Sequence, residues 1–291
     1  MKWQGVFTAL ITPFDGGEVD LPSLRELVRR QVAAGIHGLV ACGTTGEPAT
    51  MTPEEWDRVV RTVVETAEGR VPVLAGTGTY ATRTTVERTR RARALGADGA
   101  LVVTPYYLRP QQEGLIQHFR AVAQEGGLPV MLYDVPGRTG VHLAAASVAT
   151  LSRVPGIVAL KDASGTPATV REVLQQAEPG FSVLSGDDGM ALASWALGAV
   201  GVVSVASNVA PVQMVEMWDH WQAARVARAR EMDLSLAPLY RALFLESSPA
   251  PVKAAAQVLG LCRDEVRLPL VAASRATREA LEDALRTAGL R

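Results

Sequence analysis

Lys2, Lys161 and Lys253 are the only lysines among the 29 basic residues of this 291-residue chain, so lysine chemistry has three possible seats. Lys161 ends the run Ile157-Val158-Ala159-Leu160, which reads as a buried strand. A lysine at a strand end can simply snorkel its head into water. In the enclosed mouth of a barrel, however, charge on an amine is disfavoured, and the neutral form is the one that adds to a carbonyl to make a Schiff base. Tyr133 ends the preceding apolar run. Its phenol can shuttle protons to and from a carbinolamine, or sit in the core with a satisfied hydroxyl. Thr44 and Thr45 lie in a turn between Gly43 and Gly46. Their hydroxyls and backbone N–H groups can hold a carboxylate without a cation, or serve only to shape the turn. Arg138, just past the Tyr133 run, is a fork for a second carboxylate or one half of a surface ion pair.

Other chemistries fit less well. No histidine stands at the end of an apolar run: His37 precedes one, and His118, His142 and His220 fall in helices or loops. A Ser-His-Asp triad and a His-rich metal site are therefore set aside. Asp162, Asp187 and Asp188 could approach Mg2+, but they come from two neighbouring runs and read as loop carboxylates. No metal and no cofactor is expected. Gly76-Thr77-Gly78-Thr79-Tyr80-Ala81 resembles a loose dinucleotide fingerprint, yet the next run ends in Val103-Thr104 where an acid should meet the ribose. These glycines read as a tight turn.

The elements that must position these residues repeat. Apolar, β-rich runs cover 6–12, 38–45, 71–78, 99–104, 129–135, 156–161, 181–186 and 201–207. Each ends in small or polar residues, and helical patterns fill the gaps. Thr52-Pro53-Glu54-Glu55 is a capping box that opens one helix, followed by Trp56, Val59, Val60, Val63 and Val64 at helical spacing. Gly35, Gly69, Gly96, Gly126 and Gly180 stand where helices should stop. Eight strand–helix units predict an α/β fold, a (β/α)8 TIM barrel over 1–223, with a C-terminal helical extension over 224–291. An open doubly wound sheet is the alternative. In a parallel barrel the chemistry collects at the carboxyl ends of the strands, which is where Thr44, Thr45, Tyr133 and Lys161 fall.

Composition narrows the partners. Hydrophobic residues make up 48% and charged residues 20%, with a net charge of -1, so neither a nucleic-acid footprint nor an acidic partner is expected. Cys42 and Cys262 form no C-x-x-C pair and suit a reduced, cytoplasmic protein. The start shows no signal-peptide pattern. Residues 189–215 lack charge over a membrane-spanning length, but Gly198, Gly201, Asn208 and Pro211 interrupt them and no basic flank follows. They read as a buried helix, a turn and a buried strand, and no membrane partner is expected.

Together the motifs resemble the dihydrodipicolinate synthase / N-acetylneuraminate lyase family along nearly the whole chain. They are Gly43-Thr44-Thr45-Gly46-Glu47, Val103-Thr104-Pro105-Tyr106-Tyr107, Tyr133-Asp134-Val135-Pro136-Gly137-Arg138-Thr139-Gly140, Lys161-Asp162-Ala163-Ser164-Gly165, Leu184-Ser185-Gly186-Asp187-Asp188 and Pro249-Ala250-Pro251-Val252-Lys253. The resemblance implies that Lys161 forms an imine with pyruvate. It implies that Tyr133 relays protons with Thr44 and with Tyr107 from a neighbouring subunit. Thr45 would bind the pyruvate carboxylate, with Val203 beside it through its backbone, and Lys253 lies outside the catalytic set. The second substrate would be L-aspartate 4-semialdehyde, condensed in the first committed step of diaminopimelate and lysine synthesis by a homotetramer, a dimer of dimers. The chain departs from the family in carrying Asp134 where Asn is frequent. It also carries Pro53, Trp56, Tyr80 and Thr84 where lysine-sensitive relatives tend to have His, His, Asn and Glu, so feedback by lysine is expected to be weak or absent. The competing functions are a 2-oxo-acid aldolase (a sialic acid, 4-hydroxy-2-oxoglutarate or 2-keto-3-deoxy sugar acid lyase) and a catalytically silent ligand-binding barrel. Arg138, which the resembling lyases usually lack, favours the synthase.

Overall fold

The structure, a computed structural model, describes residues 3–291; Lys2 lies outside the described residues. Eight parallel strands close into a barrel in the order β1-β10-β9-β8-β7-β6-β5-β4, with helices between them, so the expected (β/α)8 architecture is borne out. In chain order the strands are β1 (Gly5–Ala9), β2 (Phe14–Asp15), β3 (Glu18–Val19), β4 (Gly38–Ala41), β5 (Val73–Gly76), β6 (Gly99–Val103), β7 (Val130–Asp134), β8 (Ile157–Asp162), β9 (Ser182–Ser185) and β10 (Gly201–Ser204). β2 and β3 form an antiparallel hairpin of their own, unforeseen because two-residue strands leave no periodic signal. The barrel strands are near-continuous apolar runs because a parallel strand is covered on both faces. Most are shorter than the runs that predict them, because their small and polar ends leave the ladder for loops. Residues 43–47, for example, leave the fourth strand for a 3-10 turn at Thr44–Gly46.

By contacts the chain divides into two compact units, residues up to Gly5 with Pro72–Val203, and Val6–Val71 with Ser204–Arg291. In the first, the helices Thr82–Ala94 and Gln112–Gly126 pack together, and the second of them also packs on Ala145–Ser152. Gly78 sits where a Cβ would lie 2.5 Å from the Val103 backbone nitrogen. This glycine permits the loop after β5 to run close against the end of β6. One stop signal is displaced: Gly126 is the last helical residue, and Gly127, with φ 76°, turns the chain out of the helix. The uncharged stretch resolves into the helix Ala191–Ala196 and strand β10, as expected. Among the described residues no helix is long and apolar enough to cross a membrane.

In the second unit the predicted capping box is formed, with the Glu55 N–H donating to Thr52 Oγ1 at 3.2 Å and the Thr52 N–H to Glu55 Oε2 at 2.9 Å. The last part of the chain forms the helices Val226–Ala242, Ala250–Val258 and Arg275–Thr287, with no strand. Buried Asn208 binds the end of β1 into this unit: its Nδ2 donates to the Ala9 carbonyl at 2.8 Å and its Oδ1 accepts from the Ile11 N–H at 3.0 Å. The helix Ala250–Val258 delivers Lys253, whose side chain is fully buried. Its ammonium donates to Glu47 Oε1 at 2.5 Å and to the Glu265 carbonyl at 2.7 Å, and it lies 4.1 Å from the centre of the Phe14 ring. Glu47 Oε2 accepts from the Arg267 N–H at 3.2 Å. Desolvation pulls the Lys253 pKa below the usual lysine range, and Glu47 opposes that shift. Nearby, Arg267 grips Glu55 with both guanidinium nitrogens, at 2.5 and 2.7 Å, which holds the Glu55 carboxyl at about 2.

Lys253→Met should leave Glu47 as an uncompensated buried charge and lower unfolding free energy by about 3–5 kcal/mol, whereas Glu47→Leu combined with Lys253→Met should recover most of it. Urea unfolding of the three proteins checks this; equal loss in the single and double variants would contradict it. The Glu55–Arg267 fork has a pH signature. Because folding depresses the Glu55 pKa from 4.5 to about 2, its contribution is complete above 4.5 and disappears as pH falls through about 2. Glu55→Gln should therefore cost about 1.5–3 kcal/mol at neutral pH, with the difference shrinking towards zero in thermal melts taken down to strong acid.

Candidate active site

The site begins with the register of two strands. β7 and β8 run parallel with Val130 opposite Ile157 but Met131 opposite Ala159, so β8 gains one residue, Val158, at a bulge. From there Tyr133 stands opposite Lys161, and Asp134 opposite Asp162. Without the inserted residue Tyr133 would face Leu160. Opposed residues project to the same face of a sheet, so the bulge is what brings phenol and amine together. Lys161 Nζ lies 4.1 Å from the centre of the Tyr133 ring. Lys161 is 5% exposed and Tyr133 6%. Lys161 has no carboxylate partner among the described residues, and the Tyr133 hydroxyl makes no hydrogen bond there. Lysine and phenol are held by packing while their reactive atoms stay uncommitted.

On the other side of β8, Gly186 follows β9 and donates its N–H to the Asp162 carbonyl at 2.6 Å. A Cβ at Gly186 would lie 2.9 Å from Lys161 Cε and 2.9 Å from Ala163 Cβ. The absence of a side chain is thus the space through which the lysine stem passes. Residue type and strand-end position hinted at Gly186, but only the packing shows why glycine is required.

The next residue on each strand is a buried acid, Asp134 after Tyr133 and Asp162 after Lys161. Burial raises the pKa of both Asp134 and Asp162 above the usual carboxylate range. His142 and the Leu143 N–H oppose the shift at Asp134, while the Ser164 hydrogen bonds and His142 oppose it at Asp162. His142 Nδ1 is 2.6 Å from Asp134 Oδ2, and the Leu143 N–H donates to Asp134 Oδ1 at 3.1 Å. This pairing escapes a search for histidines at strand ends, because the ring reaches back to the strand end from a loop eight residues later. Asp162 accepts from the Ser164 N–H at 3.1 Å and Asp187 from the Gly189 N–H at 2.9 Å, as loop carboxylates do. Among the described residues no three His, Cys, Asp or Glu side chains converge as a metal-holding group.

The remaining candidates occupy strand ends and loops. Arg138 lies in the single helical turn Pro136–Thr139; it is exposed, and its guanidinium has no partner among the described residues. Tyr107 is 89% exposed at φ 72°, a left-handed backbone that a tyrosine adopts only when the loop dictates it. Val203 is fully buried at the end of β10. In the second unit Thr44 and Thr45 lie in the 3-10 turn Thr44–Gly46, and neither hydroxyl has a partner among the described residues. Two bonds brace this turn. Thr12 Oγ1 donates to the Gly46 carbonyl at 2.9 Å, and Glu47, the residue after the turn, at φ 56°, accepts from Lys253 Nζ.

The fold is thus a closed parallel barrel that sets a buried lysine and a buried tyrosine side by side at adjacent strand ends, the frame of a barrel enzyme. The chain belongs to the dihydrodipicolinate synthetase family, whose model matches residues 2–288. It is 49% identical over 282 residues to the 4-hydroxy-tetrahydrodipicolinate synthase of Thermomicrobium roseum, covering 97% of this chain and 93% of that one. Crystal structures agree: dihydrodipicolinate synthase from Thermotoga maritima superposes with a TM-score of 0.98 at 40% identity over all of both chains. The chloride-inhibited enzyme from Acinetobacter baumannii, complexed with pyruvate, gives 0.97 at 41% identity, again over all of both chains.

Gly186→Ala should push the Lys161 stem aside by a few tenths of an ångström or more. Displacements of about 1 Å can cost a factor of about 100 in rate. The variant should therefore slow borohydride trapping of a small 2-oxo acid on Lys161 by about tenfold or more, read by intact mass against time. Trapping at the parent rate would show that the Gly186 gap is not needed by the amine.

Proposed function

We propose that the chain is a class I lyase that condenses pyruvate with L-aspartate 4-semialdehyde to 4-hydroxy-tetrahydrodipicolinate, the first committed step of diaminopimelate and lysine synthesis. The observation that carries this reading is Lys161: a buried amine at a strand end, against Tyr133 and without a counter-ion among the described residues. The amine adds to the pyruvate carbonyl, the carbinolamine loses water, and the resulting imine gives an enamine whose methylene carbon attacks the aldehyde; the amino group of the semialdehyde then displaces Lys161 from the imine carbon, which closes the ring and frees the enzyme. Each step moves a proton, and Tyr133 is the group placed to carry it, with Thr44 and, from a neighbouring subunit, Tyr107 as its relay partners. The outward set of Tyr107 supports that sharing, since its phenol projects away from its own chain.

Thr45, with its uncommitted hydroxyl and the amides of its turn, takes the pyruvate carboxylate, and the Val203 backbone lies beside it. Arg138 takes the carboxylate of the aldehyde substrate. The names of the relatives favour the synthase over the sugar-acid lyases. The reading needs no cofactor and no metal. It places the enzyme in the cytoplasm, which suits two cysteines outside any disulfide, and gives it the family's homotetrameric assembly, a dimer of dimers.

Pyruvate with borohydride should add one adduct per chain, on Lys161, and peptide mapping that finds it on Lys253 or nowhere would sink the assignment. Arg138→Ala should lower efficiency with aspartate semialdehyde by tens- to a thousandfold, taking about 2–4 kcal/mol for a charge-assisted pair in a partly enclosed site. Pyruvate trapping should change far less. Steady-state kinetics with each substrate varied in turn separates the two, and semialdehyde parameters near those of the parent would refute the role of Arg138.

A further inference from the structure

Arg138 poses a problem of position. Its guanidinium has no bond to the protein among the described residues, so its place is set by its backbone alone. That backbone is an excursion that leaves β7 at Asp134 and returns at His142, with Arg138 four residues from either end. The outbound leg is fastened by Thr139, whose hydroxyl donates to the Val141 carbonyl at 2.9 Å and accepts from Thr104 Oγ1 at 3.2 Å. The return leg is fastened to the helix Gln112–Gly126 by Gln112, which donates to the His142 carbonyl at 2.7 Å and accepts from the Ala144 N–H at 3.0 Å. Among the described residues one, Asp134, bonds the return leg directly to the strand that carries Tyr133. The Asp134 carboxylate takes the His142 ring on one oxygen, at 2.6 Å, and the Leu143 N–H on the other, at 3.1 Å. Asp134 is itself immobile: it is 1% exposed, stands in the ladder opposite Asp162, and its carbonyl accepts from the Ala163 N–H at 2.9 Å.

We infer that the Asp134–His142 pair is the positioning device for Arg138, a buckle that closes the 134–143 excursion and so sets where the second substrate's carboxylate is met. The contact suits the task. His142 Nδ1 meets a buried carboxylate at 2.6 Å, so the ring has a reason to stay on the strand end although half of its surface is open to water. The hydrogen bond is short and one partner is buried, which keeps it strong where a fully exposed pair would be weak. Tyr133 and Lys161 do not depend on the buckle, since strand register and packing hold them. Its loss should therefore touch one substrate and spare the other.

The inference rests on the reading of Arg138 above, and the test separates the two. His142→Ala, His142→Gln, Arg138→Ala and the combination of His142→Ala with Arg138→Ala are compared by kinetics with each substrate varied and by borohydride trapping of pyruvate. Thermal melts accompany both. His142→Ala should raise the KM for aspartate semialdehyde about five- to thirtyfold while pyruvate trapping and pyruvate KM stay within about twofold. His142→Gln, which can still donate to Asp134, should return most of the loss. In the Arg138→Ala background, His142→Ala should add nothing further, because a residue that acts only through another is silent once that other is gone. Multiplying losses in the combined variant, or parent kinetics in His142→Ala beside an impaired Arg138→Ala, would overturn the buckle and leave the role of Arg138 standing. Parent kinetics in Arg138→Ala would overturn both. A fall in pyruvate trapping that tracks a fall in melting temperature would reduce His142 to a general structural residue and also overturn it.

Discussion

The parallel ladder between β7 and β8, with Val158 inserted as an extra residue, is the constraint on which the site depends. A strand's side chains alternate between faces, so a slip of one residue would exchange the core and opposite faces of everything after it. Ile157, Ala159 and Leu160 are all buried, and this apolar demand on both faces prevents the slip. The bulge then shifts the partner by one place, and Tyr133 meets Lys161 instead of Leu160. Gly186 completes the arrangement from the next strand by leaving unfilled the volume that the lysine stem requires. Backbone register sets lysine against tyrosine here, and no side-chain bond to the lysine is needed.

Two buried lysines in one chain show how environment divides a residue type into roles. Lys253 is desolvated as completely as any large side chain in the structure and is matched by a carboxylate, a carbonyl and an aromatic face. Removing two ions from water is costly, and the attraction between them offsets that cost only when further hydrogen bonds complete both shells. Lys253 and Glu47 meet that condition, and the pair binds the turn that carries Thr44 and Thr45 to a helix 206 residues away in sequence. Lys161 is nearly as deep but has no such partner among the described residues. A lysine locked to a carboxylate is a strut, whereas one held only by packing beside a phenol is open to chemistry.

The barrel was legible because its signals are local and repeated. Apolar runs ending in small residues, a capping box at Thr52–Glu55 and a lysine closing a strand all lie within a few consecutive positions. What escaped the sequence depends on contacts between distant residues or on single-residue irregularities. The Val158 bulge leaves no mark in an already continuous apolar run. Gly126 and Gly127 look alike in sequence, and both are crowded by neighbours; what separates them is the backbone, since Gly126 stays helical against Thr89 while Gly127 takes φ 76° and ends the helix. His142 reads in the sequence only as one of three histidines in helices or loops, since nothing in its own neighbourhood announces a carboxylate eight residues back. For Glu47–Lys253 a faint signal existed: a lone charge in the apolar helix Ala250–Val258 must either reach water or find an acid.

Buried polar groups in folded proteins are almost always satisfied from within, so those left uncommitted at a functional face carry information. Asn208, Glu47, Lys253, Asp134 and Asp162 all lie near strand ends or brace the loops there, and each is bonded to its neighbours. The Lys161 amine, the Tyr133 hydroxyl, the hydroxyls of Thr44 and Thr45 and the Arg138 guanidinium have no such partner among the described residues. The first group holds loops and turns in place; the second is what those loops and turns present. This split follows from hydrogen-bond accounting and register alone, yet the uncommitted set matches the groups that imine formation, proton relay and recognition of two carboxylates would require. Lys253 shows how firmly a structural lysine is tied down, whereas Lys161 and Tyr133 are nearly as deep and carry no such bonds, which is what the proposed chemistry would need of them.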